Sequence, residues 1–193
     1  MTTTPATEPV TYWYLEQTAP GDLRPARDLA PGAPVRIERA AVPSPEFSRF
    51  LYTAVGQDVA WIDRLPWDRA RWRAQLERPG VETWVVYEHG TPGGFLELSG
   101  EESGVVEIGY FGLLPAFRGR GLGGALLSAG TARAWDLAGR TPGHRPTRRV
   151  WLHTCSRDGE HALDNYRRRG FRVYDTHTKQ EPYARQPGPW PGA

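Results

Sequence analysis

Apolar residues recur with two different periods along the chain, and the changes of period lay out the elements. Val35, Ile37 and Arg39 alternate with Arg36 and Glu38, so residues 35–40 read as a strand. Ser44-Pro45-Glu46 then carries the signature of a helix start, with Ser44 as N-cap, proline at the first helical position and an acid in the first turn. Its apolar face is expected on Phe47, Phe50, Leu51 and Ala54. Residues 61–76 read as helical but broken at Pro66, with Asp68 capping a piece over 69–77. Residues 83–87 and 94–98 form a hairpin around Gly90 and Pro92-Gly93-Gly94. A strand over 105–114, a helix over 122–137, a strand over 149–155, a helix over 160–169 and a closing strand over 171–176 follow. Gly170 stands where a helix C′ residue belongs. Residues 12–15 form a short aromatic segment expected at a sheet edge. From residue 35 the order is β-α-α-β-β-β-α-β-α-β, without an internal repeat. Hairpins alternate with crossovers in it, which predicts a mixed α/β sheet rather than a purely parallel one.

Composition narrows the class. A chain of 193 residues that is 39% hydrophobic fits one domain, expected over 10–178, with tails at 1–9 and 179–193. The net charge is +2, and of the 24 basic residues only Lys179 is a lysine. Basic clusters at 145–149 and 167–169 are interspersed with acids and accompany no nucleic-acid motif, so they read as solvated surface. The single Cys155 excludes an intramolecular disulfide framework and cysteine-rich metal sites. No His/Asp/Glu group has ligand spacing, so no metal is expected. No apolar run reaches the ~20 residues of a membrane span, and residues 1–9 lack the apolar core of a secretory signal. A cytoplasmic protein with no nucleic-acid or membrane partner is the expectation, as monomer or homodimer.

The chemistry concentrates between Arg118 and Gly124, in Arg-Gly-Arg-Gly-Leu-Gly-Gly. Strand, Gly/Arg turn and helix start together make an anion cradle. The first amides of a helix lack partners, its dipole is positive there, and glycines let a phosphate approach. A Walker loop would require Gly-Lys-Ser/Thr, and no lysine lies here. A dinucleotide fingerprint occurs formally at 119–124, but the ribose-reading acid expected about 20 residues on is missing; Asp136 falls too early and inside the predicted helix.

Arg118-Gly119-Arg120-Gly121-Leu122-Gly123 resembles the phosphate loop Gln/Arg-x-x-Gly-x-Gly/Ala of the GCN5-related N-acetyltransferase (GNAT) family. Phe111-Gly112-Leu113-Leu114-Pro115 is similar to that family's fourth strand and its closing proline. Ala162, Tyr166 and Gly170-Phe171 match its late helix. The chain departs from the family at Gly159, where many members carry asparagine for a polar contact to pantetheine.

The resemblance implies a mixed, mostly antiparallel twisted sheet of about six to seven strands with about four helices. It implies acetyl-coenzyme A as donor, with the diphosphate on the amides of Gly119, Gly121, Leu122, Gly123 and Gly124. Arg118 and Arg120 would lie by the phosphates, and the backbone of Phe111 and Leu113 would pair with the pantetheine arm. Tyr166 takes the family's general-acid position. Glu107 is the expected base and would share a face with Gly109, Phe111 and Leu113 if alternation along the strand is unbroken. His153 and Cys155 share a face of their strand; a covalent route through Cys155 is set aside for direct transfer, with Cys155 expected to be a buried small residue.

The family builds its acceptor groove after the first strand. Here Tyr52, Trp61, Asp63 and Trp67 are the candidates there, aromatics and an acid suited to a cationic amine. The other reading of these residues is that the rings fill the core and the aspartates cap helices. The function expected is acetyl transfer to the primary amine of a small molecule. Transfer of another acyl group, a protein lysine or N-terminal acceptor, and a non-catalytic coenzyme-binding or interaction module stand as alternatives.

Overall fold

The computed structural model describes residues 6–29, 34–59 and 61–183. Seven strands form one sheet: β1 (Thr7–Gln17), β2 (Val35–Arg39), β3 (Val81–Glu88), β4 (Thr91–Gly100), β5 (Val105–Leu113), β6 (Arg149–Cys155) and β7 (Arg172–Pro182). Their order is β2-β3-β4-β5-β6-β1-β7, and every neighbouring pair is antiparallel except β5 with β6. Four helices flank the sheet: α1 (Pro45–Gly56), α2 (Arg69–Leu76), α3 (Leu122–Trp135) and α4 (Ala162–Arg168). The mixed, mostly antiparallel fold expected from the motifs is the one observed.

Local signals act where they were read. Ser44 Oγ accepts the Phe47 amide at 3.2 Å and Asp68 Oδ1 accepts the Arg71 amide at 2.7 Å, so both predicted caps satisfy an orphan N–H. The β3–β4 hairpin turns on His89 (φ 49°) and Gly90 (φ 85°), the left-handed pair of a two-residue turn. α3 buries Leu122, Leu126, Leu127, Gly130, Thr131 and Ala134 against the sheet. Each such leucine contributes roughly 1.5–3 kcal/mol. Helix and sheet meet closely at Gly130, where a Cβ would stand 2.5 Å from Leu96 Cδ1.

Three expectations change. The segment at 12–15 is no edge: β1 lies between β6 and β7, with Val10, Leu15 and Gln17 fully buried. Its pairing with β7, from Thr7↔Pro182 to Glu16↔Arg172, makes strand of residues 7–9 and 179–182 of the expected tails. Residues 1–5 and 184–193 of those tails lie outside the described residues. The buried face of α1 carries Ser48, Leu51, Tyr52 and Val55, leaving Phe50 48% exposed, because Tyr52 reaches a polar network beneath the helix. Finally, β5 is bulged. Glu97 pairs with Tyr110 but Leu98 pairs with Ile108, so Gly109 is the extra residue. The bulge turns Glu107 to the face of Tyr110 and Glu97, opposite Phe111 and Leu113, which corrects the unbroken alternation.

Gly170 follows α4 with φ +89°. A Cβ there would overlap the Asp22 carbonyl oxygen, because the segment after β1 is tied to this corner by Arg24 N donating to Arg169 O at 3.1 Å. Gly170→Ala is therefore expected to cost more than the ~1–2 kcal/mol left-handed penalty alone. Urea unfolding measures it; a loss below 1 kcal/mol would contradict the packing at this corner.

Candidate active site

β5 and β6 pair only from Val105–Glu107 to Arg149–Trp151 and then diverge. Among the described residues the β6-facing edge of β5 beyond Glu107 has no strand partner, so a cleft opens through the middle of the sheet. Strand edges of this kind accept an extended chain. Phe111 and Leu113 lie along it. The Leu113 carbonyl already accepts Arg118 Nε at 3.1 Å.

One end of the cleft meets the start of α3. Gly119 (φ 73°) and Gly121 (φ 80°) are left-handed, and Gly121 is an N-cap without a side-chain acceptor. Among the described residues the six successive amides from Gly119 to Gly124 meet no backbone or side-chain acceptor; the next, Ala125, bonds Gly121 O. This is a concave run of donors at the positive end of a 14-residue helix. The loop arginines, however, are engaged by acids: Arg118 Nη1 lies 2.8 Å from Asp58 Oδ2, and Arg120 pairs with Glu88.

α4 supplies two groups that the sequence reading passed over. Asn165 and Arg169 are one helical turn apart and both reach the first turn of α3. Asn165 Nδ2 stands 4.0 Å, and Arg169 Nη1 2.7 Å, from where a Cβ on Gly123 and on Gly124 would be. Arg169 has no carboxylate partner among the described residues, its Nε is buried without a hydrogen bond, and burial together with Arg168 lowers its pKa. Only the i, i+4 spacing of the two could have separated Arg169 from the solvated run 167–169.

Tyr166 stands on the α3 side of the sheet. Its ring meets Phe111 edge-on at 5.9 Å and Phe171 at 6.4 Å, and its hydroxyl has no hydrogen-bond partner among the described residues. Burial raises its pKa, with Asp158 and Cys155 adding to the effect. Burial also raises the Cys155 thiol, which disfavours the thiolate that a covalent route needs.

The opposite face holds Glu107. Burial, then the neighbouring Glu97, raises its pKa, while Arg64 opposes them. Its Oε1 lies 4.0 Å from Nδ1 of His153. Beside it, Asp63 accepts the Tyr52 hydroxyl at 2.7 Å and that of Tyr110. Of the four acceptor-groove candidates only Asp63 is exposed. Tyr52 is 1% exposed, Trp61 packs against Tyr52 and Tyr110 at 5.7 and 5.0 Å, and Trp67 packs against Trp72 and under Arg64. Those three rings build the wall, and Asp63 is what the wall presents.

The profile of the Acetyltransferase (GNAT) family matches residues 46–171. Among solved structures the fold is similar to a GCN5-related N-acetyltransferase from Kribbella flavida (TM-score 0.61, 21% identity, 88% of this chain and 56% of that one). It is also similar to one from Sphaerobacter thermophilus (TM-score 0.60, 23% identity, 94% and 54%). The chain thus spans about half the length of these two. An aminoglycoside acetyltransferase from an uncultured soil metagenomic sample, solved with sisomicin, is similar at TM-score 0.54 and 16% identity over 69% of this chain and 86% of that one. A search among curated proteins finds no match.

Proposed function

The chain belongs to the GNAT acetyltransferase family, and from that premise we propose that it transfers an acetyl group from acetyl-coenzyme A directly to the primary amine of a small molecule. One observation carries this reading: six unpartnered amides at the start of α3 open onto a cleft whose far face presents carboxylates. Those donors suit a diphosphate, and the two faces separate a donor entry from an acceptor entry.

The fit of the donor is chemical. The amides of Gly119–Gly124 and the unpaired Arg169 guanidinium would hold phosphates, and the free edge of β5 at Phe111 and Leu113 would hold an amide-bearing arm. Arg118 and Arg120, both paired with acids, would then shape the loop more than they charge it. Bound there, the thioester supplies the activated acyl carbon and a sulfur leaving group.

The residues around the cleft answer the two difficulties of acyl transfer to an amine. A primary amine of pKa ~10.4 is neutral in only about one molecule in 2,500 at pH 7, a penalty of roughly 4.6 kcal/mol. The carboxylates of Glu107 and Asp63 attract the ammonium, and Glu107 stands on the face toward which its proton must be drawn off. On the other face Tyr166 donates to the departing sulfur. Burial keeps its hydroxyl protonated, so it acts as a donor, and a backbone N–H of the open β5 edge is available to the developing oxyanion.

A thiol-release screen with acetyl-coenzyme A against amino acids, polyamines, aminoglycosides and lysine peptides tests the reading. A response to peptides alone would overturn the small-molecule acceptor. With an amine so found, Tyr166→Phe is expected to lower kcat about 100-fold. Thermal stability and acetyl-coenzyme A binding should be unchanged, since the hydroxyl bonds none of the described residues. Unaltered turnover would remove Tyr166 from the chemistry.

A further inference from the structure

Glu107 and His153 face each other where β5 and β6 part, yet they occupy different positions. Glu107 is the last residue of β5 paired with β6, opposite Trp151. His153 stands two residues beyond Trp151, in the open part of the cleft and on the same face. Its side chain is 42% exposed, against 32% for Glu107. The imidazole is held in a ladder of rings, with Tyr14 at 5.7 Å, Tyr12 at 6.3 Å and Trp151 at 6.4 Å between centroids. A second histidine, His177 of β7, lies behind Tyr14 at 5.2 Å. Asp158 from the turn after β6 and Asp63 from the segment before α2 act on its charge. No lysine or arginine pairs with His153 or Glu107 among the described residues.

We propose that His153 is the catalytic group that takes the proton of the acceptor ammonium, and that Glu107 is a positioning residue that orients the imidazole and holds its charge. This rests on the N-acetyltransferase reading and replaces direct proton transfer to Glu107. Nδ1 is the ring nitrogen turned toward Glu107, 4.0 Å from Oε1, which leaves the Nε2 lone pair for substrate. One proton passes from the ammonium to Nε2, and the freed nitrogen pair forms the N–C bond as the C–S bond breaks. The sulfur leaves with the electrons of that bond and collects the nitrogen's remaining excess proton. An amide and a thiol result, with one proton on His153 that returns to solvent from its exposed side.

The chemistry favours the imidazole over the carboxylate. A base works best when its pKa lies near the working pH, and the ordinary imidazole value stands nearer 7 than the ordinary carboxylate range from which burial and Glu97 raise Glu107. Burial holds His153 below the ordinary imidazole value, so it is neutral and ready to accept at pH 7, while Asp158 and Asp63 limit that fall.

The pairing is tested without any acceptor by following the His153 ring signals by NMR through a pH titration. Glu107→Gln removes a negative neighbour, so the His153 midpoint is expected to move to lower pH; an unmoved midpoint overturns the pairing. With an amine from the screen, His153→Gln is expected to lower kcat at pH 7 at least 100-fold. The stabilisation by acetyl-coenzyme A should persist, and added imidazole should restore part of the rate to His153→Gly. In Glu107→Gln the acid limb of kcat/KM should shift to lower pH rather than vanish. A His153→Gln enzyme with the parent rate and pH profile overturns the proposal and leaves the acetyltransferase reading standing. Loss of acetyl-coenzyme A stabilisation in the unchanged protein would instead sink that reading itself.

Discussion

Gly121→Asp is expected to abolish the thermal stabilisation that acetyl-coenzyme A confers, while leaving the protein folded. At 100 times its Kd a ligand stabilises the native state by about 2.7 kcal/mol. For a domain of this size that raises Tm by roughly 5–11 °C. The substitution attacks the anion site in two ways. Gly121 sits at φ +80° and caps α3 through its backbone alone. An aspartate there places a carboxylate among the free amides of Gly119–Gly124, where it occupies the donors and repels a diphosphate. Its cost to the fold is small by comparison. Aspartate tolerates the left-handed region, and among the described residues the only neighbour of the new Cβ within 4 Å is Leu29 Cδ2 at 3.7 Å. The variant should therefore unfold within a few degrees of the parent and show no shift with acetyl-coenzyme A. A shift as large as the parent's would move the diphosphate away from this loop.

What could be read from the chain was what local chemistry decides. Ser44, Asp68, Gly90 and Gly170 each do one thing to the backbone within a few residues, and the structure puts each to that use. The cradle was legible for the same reason, because a left-handed glycine before a helix is a property of a short peptide. What stayed hidden lies where the deciding partner is far away in sequence. Residues 12–15 become an interior strand only because β6 and β7 arrive from more than 130 residues on. Arg118 and Arg120 carry positive charge in any reading of the sequence, but Asp58 and Glu88 meet them 60 and 32 residues away. Glu107 changes face because one glycine is bulged, and Gly109 in a strand looks alike on paper whether it is bulged or flat. That bulge puts Glu107 and Tyr166 on opposite faces of the sheet.

Breaking the buried pair of Arg64 and Glu97 is expected to be the most damaging change to stability outside the apolar core. The two form a fork at 2.9 and 2.8 Å, with 9% and 3% of their side chains exposed. Arg64 also stacks over Tyr110 at 4.2 Å and Trp67 at 4.7 Å, so it joins the segment before α2 to β4 and β5. Removing one partner leaves the other charge buried and alone, at about 3–5 kcal/mol. Arg64→Met or Glu97→Gln should thus lower Tm by roughly 6–20 °C. The double replacement Arg64→Met with Glu97→Leu should recover much of the loss, because neither charge then has to be desolvated. The single variants also separate stability from chemistry. Glu97 raises the pKa of Glu107 and Arg64 lowers it. Glu97→Gln should therefore move the Glu107 titration to lower pH and Arg64→Met to higher pH, although both destabilise the fold. Carboxyl NMR titration reads the sign directly, and shifts in the same direction would show that the pair does not act on Glu107 through its charges.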